Sequence, residues 1–399
     1  MENIKINDDY IDVEKNNIEI IERKGLGHPD TLADKLAEEC SRVYSNYCIE
    51  RFGCVLHHNF DKLYIGAGCF RYENGVVNMY QPVKVYLNGR ASNVMNGEKI
   101  DIDGLLKPVI KKYLASVLPR LDVEHELEIN INCTQNTKVH NWFTPESIND
   151  IPDAIKVFAN DTSLCVSHYP FTLCEQIAFY AEQFFWKYNK NYASPKYDDI
   201  GQDIKVMVSR IKQDVTLTIC LPVYPDKFNS NEEYITILKK YEKLMATYIK
   251  KIPDIDRYNL KIEINKMANG DYLFYSLCKG SCIECGEEGI VGRGNNSQGI
   301  IPAFRPHTME APCGKNERYH TGRVLSFLAG RVVKRIYDEY GVKTSMYCLT
   351  KNKNNLLEPF LMYLSVSDMK YRDEIKKIIK DEFDENTYLS KILEEHRLF

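Results

Sequence analysis

The chain has 399 residues, enough for two or three domains of ordinary size and a substantial core. It is 44% hydrophobic and 27% charged, as globular proteins are, and its net charge of −4 argues against a nucleic-acid binder, whose affinity would come from a basic face. The opening MENIKINDDYIDVEKNN is too polar for a signal peptide, no apolar run of about 18 residues could cross a bilayer, and thirteen cysteines without secretory context read as free thiols, so a cytoplasmic protein is expected.

In chain order, NIEIIE has Ile18 and Ile20 on one face and Glu19 on the other, the period of a half-buried strand. From Thr31 to Phe52, Leu32, Ala33, Leu36, Ala37, Cys40, Val43, Tyr44 and Tyr47 recur at helical spacing. Between them, ERKGLGHPDTLAD is a strand-to-helix corner. Pro29 suits helix entry, and Asp30 or Thr31 can cap the first amides. Gly25 and Gly27 allow a tight turn and close approach of a ligand, and such a corner favours anions. Neither the Walker pattern nor G-x-G-x-x-G is present, and a capped helix with an exposed His and Lys fits the local pattern equally well.

The next segments alternate similarly: GCVLHHNF and KVYLNGRA as strands, GLLKPVIKKYLASVL as a helix and ELEININC as a strand, then the loop TQNTKVHNWFTPESINDIPDA. A second round gives the strand TSLCVSHYP, the helix TLCEQIAFYAEQFFWKY, the strands DIKVMVSRI and VTLTICLPV, and the helix NEEYITILKKYEKLMATYIKKI. A third runs from NLKIEINK through a glycine-rich loop to GRVLSFLAGRVVKRIYDEYG. Three α+β rounds predict three similarly built subdomains, over approximately 1–150, 151–260 and 261–399, with interleaving expected.

The most unusual stretch is GEEGIVGRGNNSQGIIPAFRPHTMEAPCGKN. Here Glu287, Glu288, Arg293, Arg305, Glu310 and Lys315 sit among glycines, and Pro302 and Pro306 interrupt any helix. Mixed acids and bases on such a loop suit a polyphosphate with its metals, with a salt-bridged surface loop as the lesser alternative. Lys205 projects from a predicted strand, with Ile204 and Val206 on the other face. Of the adjacent His57 and His58, which point to opposite faces and make a poor metal pair, one is expected to pack inward and one to face a cleft. Cys282 and Cys285 have C-x-x-C spacing, but no second pair completes a zinc site.

ERKGLGHPDTLAD, HHNFD, LNGRA, NDTS, DIKVM, VGRGN and MEAPCGKN, in that order, resemble the archaeal-type S-adenosylmethionine synthetases, the methionine adenosyltransferases. The resemblance implies three α+β subdomains about a pseudo-threefold axis, a homodimer paired sheet to sheet, and active sites at the interface. It implies ATP and L-methionine as substrates, Mg²⁺, and K⁺ as an activator. By the family pattern His28 stands at the departing 5′-oxygen, Asp30 and Asp61 are metal carboxylates, and Lys205, Arg293 and Lys315 neutralise phosphate. Gly25, Gly27, Gln135, Asn136, Thr137, Asp161, Ser163, Asp203, Glu287, Glu310 and Asn316 complete the substrate-binding set.

The chain departs from that pattern in several places. GEEG stands for GDDG, HHNFDK for HHNTDQ, TQNTKV for GQGSMD and CVSHYPFT for GVGYAPLS, and Glu317 stands where a Pro follows GKN. Two other readings stay open: a paralogue that acts on another thioether or only hydrolyses triphosphate, and a non-catalytic partner of an active synthetase.

Overall fold

The computed structural model describes residues 3–135, 142–151, 156–189 and 198–395. They form a mixed α+β fold with three principal sheets, each with its own buried cluster. The first sheet runs in the order Ile4–Asn7, Leu361–Val366, Thr344–Leu349, Leu164–Tyr169. The helix Thr321–Tyr340 buries Val324, Leu325, Leu328 and Val332 in its cluster. The second sheet runs Asn259–Ile264, Asp214–Cys220, Lys205–Ile211, Ile18–Lys24, Ile301–Pro302, with the helices Leu173–Asn189 and Asn231–Ile249 in its cluster. The third runs Leu127–Thr134, Val83–Ala91, Tyr64–Gly66, Gly289–Ile290, with His58–Asn59 also paired to Val83–Ala91. It shares its cluster with the helices Pro29–Phe52 and Ile102–Val117. Leu32 and Leu36 are fully buried there, and each contributes about 1.5–3 kcal/mol by leaving water.

The three layers are interleaved along the chain. Ile4–Asn7 lies parallel to Leu361–Val366, and Ile18–Lys24 lies antiparallel to Lys205–Ile211, so both N-terminal strands leave the range 1–150 for sheets built mainly from later segments. NLKIEINK opens the third sequence round, yet its strand Asn259–Ile264 pairs parallel with Asp214–Cys220 in the second sheet.

One face assignment is reversed. The side of Ile18–Lys24 turned inward carries Glu19, Ile21 and Arg23, while Ile18 is exposed and Ile20 only half-buried. Pairing makes the inversion tolerable. Glu19 accepts from Arg210 at 3.0 Å and from the Thr172 hydroxyl, and Arg23 meets Glu182 at 2.9 Å with its guanidinium over Phe179. On the opposite face Ile18 is exposed, Ile20 and Glu22 are half-buried, and Lys24 reaches Asp30 in the first turn of Pro29–Phe52.

A candidate active site at the strand-to-helix corner

The corner after Ile18–Lys24 is held by its own backbone. Gly25 N donates to Ile204 O at 2.7 Å and Gly27 N to Gln202 O at 3.2 Å. A Cβ on Gly25 would stand 2.6 Å from Ile204 O, and one on Gly27 only 2.4 Å from Gln202 C. These glycines therefore serve the close approach of segment 202–204, where the sequence suggested approach by a ligand. The helix begins at Pro29, two residues earlier than predicted, and its N-cap is His28: Nδ1 accepts from Asp30 N at 3.2 Å. Burial, then the nearby Lys24 ammonium, lowers the His28 pKa to about 4.

Four side chains tie the glycine-rich loop to this corner. Lys24 Nζ donates to Arg293 O at 2.6 Å and meets Asp30 at 3.0 Å. Asn295 exchanges two hydrogen bonds with the Lys24 backbone, at 2.8 and 2.9 Å. Asp30 Oδ1 accepts from Ile290 N at 3.2 Å, and Asp34 Oδ1 from Gly292 N at 2.7 Å. Gly294 is packed so closely on Asp34 that a Cβ there would lie 2.1 Å from Oδ2. Burial raises the Asp34 pKa to about 7. The tethers leave Arg293 exposed, and its guanidinium has no ion pair among the described residues. Sequence reasoning missed Lys24, Asp34 and Asn295 as site-building residues. Asp34 lies four residues after Asp30, on the same helix face, and that spacing was a usable signal.

Lys205 pairs in register with Lys24, and its ammonium lies 3.2 Å from Glu22 on the outer face. Asp203 is buried, with Oδ2 accepting from Cys282 N at 2.8 Å, and burial raises its pKa to about 7. The exposed Glu287 stands beside it, its N–H donating at 3.2 Å to the carbonyl of the same Cys282. His28, Asp30, Lys205, Asp203, Glu287 and Arg293 thus gather around one corner.

The remaining residues form a second group. Lys315 is buried and ion-paired with Glu310, and it bridges antiparallel to Asn59. Asn316 donates to Leu56 O at 2.9 Å. Asp61 accepts from Lys62 at 2.7 Å. Gln135 Nε2 donates to Ala91 O at 3.1 Å, opposite His58 in register; Asn136 and Thr137 lie outside the described residues. Asp161 and Ser163 are held by Thr350, whose hydroxyl donates to Asp161 O at 3.0 Å and accepts from Ser163 N at 3.3 Å. Asn160 joins this turn to the group by accepting from Thr321 N at 2.9 Å. The helix Pro29–Phe52 separates the two groups. Asp30 lies in its first turn, Ser41 touches Lys315 O at 3.4 Å, and a rise of about 1.5 Å per residue puts the Lys315 backbone ~16 Å along the helix from Asp30.

Several expectations change. Both histidines are buried: His57 stacks on Trp142 at 4.9 Å, and His58 meets Ser41 Oγ at 2.7 Å, so neither lines a cleft. Arg305 is turned inward and makes a two-pronged pair with Glu175 at 2.9 and 3.0 Å, leaving it unavailable to phosphate. Phe60 is fully buried against Tyr44, and Glu317 is buried, accepting from Ser41 at 3.1 Å and Ser45 at 2.6 Å. These two departures from the family pattern are thus absorbed by the core.

Among the described residues no group of three or more His, Cys, Asp or Glu could hold a metal alone. Asp30 offers hard oxygens at the corner, and Mg²⁺ commonly takes one or two carboxylates and completes its shell with phosphate and water. Asp30 Oδ2 is shared with the Lys24 ammonium and its Oδ1 with Ile290 N, so Mg²⁺ held here would use the remaining lone pairs of one carboxylate.

A family model described as S-adenosylmethionine synthetase (AdoMet synthetase) matches residues 2–396. The chain belongs to this family. An uncharacterized protein of Streptococcus pyogenes serotype M3 is 36% identical over 379 residues, covering 94% of this chain and 92% of that protein. The S-adenosylmethionine synthases of Methanosphaera stadtmanae and Caldivirga maquilingensis are 33% and 30% identical, covering 83% and 81% of this chain and 81% and 78% of their own lengths. These archaeal relatives bear out the type of synthetase that the motifs resemble. A solved structure, described as an unusual S-adenosylmethionine synthetase from Campylobacter jejuni, shares the fold with a TM-score of 0.58 at 14% identity, over 96% of this chain and 95% of that one. No helix among the described residues is long and apolar enough to cross a membrane.

Proposed function

We propose that this protein is a methionine adenosyltransferase, a cytoplasmic homodimer that makes S-adenosylmethionine from ATP and L-methionine and releases phosphate and pyrophosphate. The observation that carries the reading, beside the family, is the tethering of the Arg293 loop to the His28 corner by Lys24, Asp30, Asp34 and Asn295. It brings the exposed Arg293 and a neutral imidazole to one anion-favouring helix start.

The methionine sulfur is already nucleophilic, so the reaction needs no general base. It needs stabilisation of the triphosphate that departs from C5′. Because Asp30 N donates to His28 Nδ1, the neutral ring carries its proton on Nε2, from which it donates to the departing 5′-oxygen. Lys205 and Arg293 neutralise phosphate from the same side, while Asp203 and Glu287 border the methionine end. Mg²⁺, held through Asp30, would supply further charge neutralisation, and K⁺ would be an activator.

Lys315, with Glu310, Asp61, Gln135 and Asp161 in its group, meets the helix at Ser41, ~16 Å along the axis from Asp30. In our reading they serve the partner's corner, across a two-fold interface that pairs the open sheet faces. Each chain then holds three α+β subdomains about a pseudo-threefold axis. Incubation with ATP, methionine, Mg²⁺ and K⁺ followed by mass detection of the sulfonium tests the proposal. Phosphate without sulfonium would point instead to the hydrolytic paralogue, and no turnover to the non-catalytic partner.

A further inference from the structure

The C-x-x-C pair completes no metal site among the described residues, yet its geometry is particular. Cys282 opens a single turn of 3-10 helix and Cys285 closes it, with Cys285 N donating to Cys282 O at 3.0 Å. Glu284 fixes the turn: one carboxylate oxygen accepts from Cys278 N at 2.5 Å and the other from Lys279 N. Cys285 Sγ donates to Cys282 O at 3.6 Å, which folds the two side chains into one turn, and Tyr275 OH lies 3.2 Å from Cys282 Sγ. Cys285 is exposed and lines a groove of about 640 Å³ with Phe70, Arg71, Cys278 and Phe274, wide enough to admit a small molecule to the sulfur. The adjacent Cys282 side chain lowers the Cys285 pKa, so the accessible sulfur is the one favoured as thiolate.

The pair is wired to the candidate active site through its backbone. Cys282 N donates to Asp203 Oδ2 at 2.8 Å, and Cys282 O accepts from Glu287 N at 3.2 Å. A covalent bond between the two sulfurs would act on the wall that carries both acids.

We propose that Cys282 and Cys285 form a reversible dithiol/disulfide site that exchanges with low-molecular-weight disulfides, and that closing it weakens the Asp203–Glu287 side of the active site. Cys285 thiolate attacks one sulfur of RS–SR and expels RS⁻, which takes a proton from solvent. Cys282, losing its proton to solvent, then attacks Cys285 Sγ and expels the second RS⁻. The two cysteines together lose two electrons and two protons, and the disulfide is reduced to two thiols. Disulfide formation stands apart from the adenosyl-transfer reading, while the effect on turnover rests on it, so the test reads the two separately.

The whole protein is equilibrated with oxidised glutathione, or with dithiothreitol as control, then alkylated, digested and weighed. The expected result is a peptide spanning both cysteines that is two hydrogens lighter and unalkylated after oxidation, and doubly alkylated after reduction. Turnover should fall several-fold on oxidation, mainly through KM for methionine, and recover with dithiothreitol. Cys285→Ser should keep wild-type turnover and lose the response. Double alkylation after oxidation, a glutathione adduct left on Cys285, or a link from Cys285 to Cys69, with which it forms an antiparallel bridge, would overturn the exchange site. A disulfide that forms with turnover unchanged would overturn its coupling to the active site. A wild-type protein with no turnover would contradict the adenosyltransferase reading, while the peptide masses still decide the dithiol site.

Discussion

The Asp30 backbone amide donates to Nδ1 of His28 at 3.2 Å, so the ring that caps the helix carries its proton at Nε2. With its pKa lowered to about 4, His28 stays neutral throughout the physiological range. Replacing it with Ala should lower kcat by roughly 10²-fold, the scale of losing one oxyanion donor. His28→Asn keeps a capping acceptor and an amide donor, so it should fold as wild type does and recover part of the rate. The wild-type rate should show no ionisation of this group between pH 6 and 8. A wild-type kcat in a folded His28→Ala protein would remove it from the chemistry.

Asp34 reaches no substrate in this account, yet it holds Gly292 and packs against Gly294 beside Arg293. Asp34→Ala should therefore leave the fold intact and lower kcat/KM for ATP by roughly 10- to 100-fold, since small misplacements of charged groups are costly. Asp34→Asn retains an acceptor for the Gly292 amide and should be milder. Steady-state kinetics of the two variants would separate loop positioning from a direct role, for which both should be equally damaging.

Asp203 gives a stability prediction with a definite sign. Its pKa is raised from 3.8 to about 7 by burial, so between these values the folded state holds a proton that the unfolded state has lost. Its contribution is full below pH 4, falls as pH rises towards about 7, and is on the order of 4 kcal/mol by the usual conversion. Asp203→Asn cannot ionise and keeps an acceptor for Cys282 N. Its melting temperature relative to wild type should climb from pH 5 to pH 8 and then level off. A flat difference would mean that Asp203 does not titrate in this range.

Much of the site was legible because its motifs are local. Lys205 lies on the expected strand and His28 and Asp30 at the expected corner, although the cap is His28 where Asp30 or Thr31 was expected, and the glycine-rich loop is tethered to that corner. Long-range choices were not legible. Gly25 and Gly27 advertise close approach, but nothing local says that the neighbour is backbone 202–204. Arg305 reads as an available cation until Glu175, far away in sequence, is seen to meet it. Glu19 reads as an outward residue, and only its pairing with Arg210 explains its burial. The interleaving follows from parallel pairings such as Ile4–Asn7 with Leu361–Val366, which join the two ends of the chain.

The ~16 Å along the helix between Asp30 and the Lys315 backbone carries its own prediction. If each active site takes His28 from one chain and Lys315 from the other, a mixed dimer of His28→Ala and Lys315→Ala has one intact site and one doubly damaged one. Random exchange makes half the dimers mixed, so about a quarter of wild-type activity should return on mixing two inactive variants. Exchange confirmed by a tag pull-down with activity still at background would put both groups in one chain's site.

The most direct test of adenosyl transfer follows the bond that breaks. ATP carrying ¹⁸O at the 5′ bridging position is incubated with the protein, methionine, Mg²⁺ and K⁺, and the products are weighed. Attack of sulfur at C5′ leaves the label in the inorganic phosphate products and none in the sulfonium. Label retained on a nucleotide, with no S-adenosylmethionine formed, would show cleavage between phosphates and contradict the account.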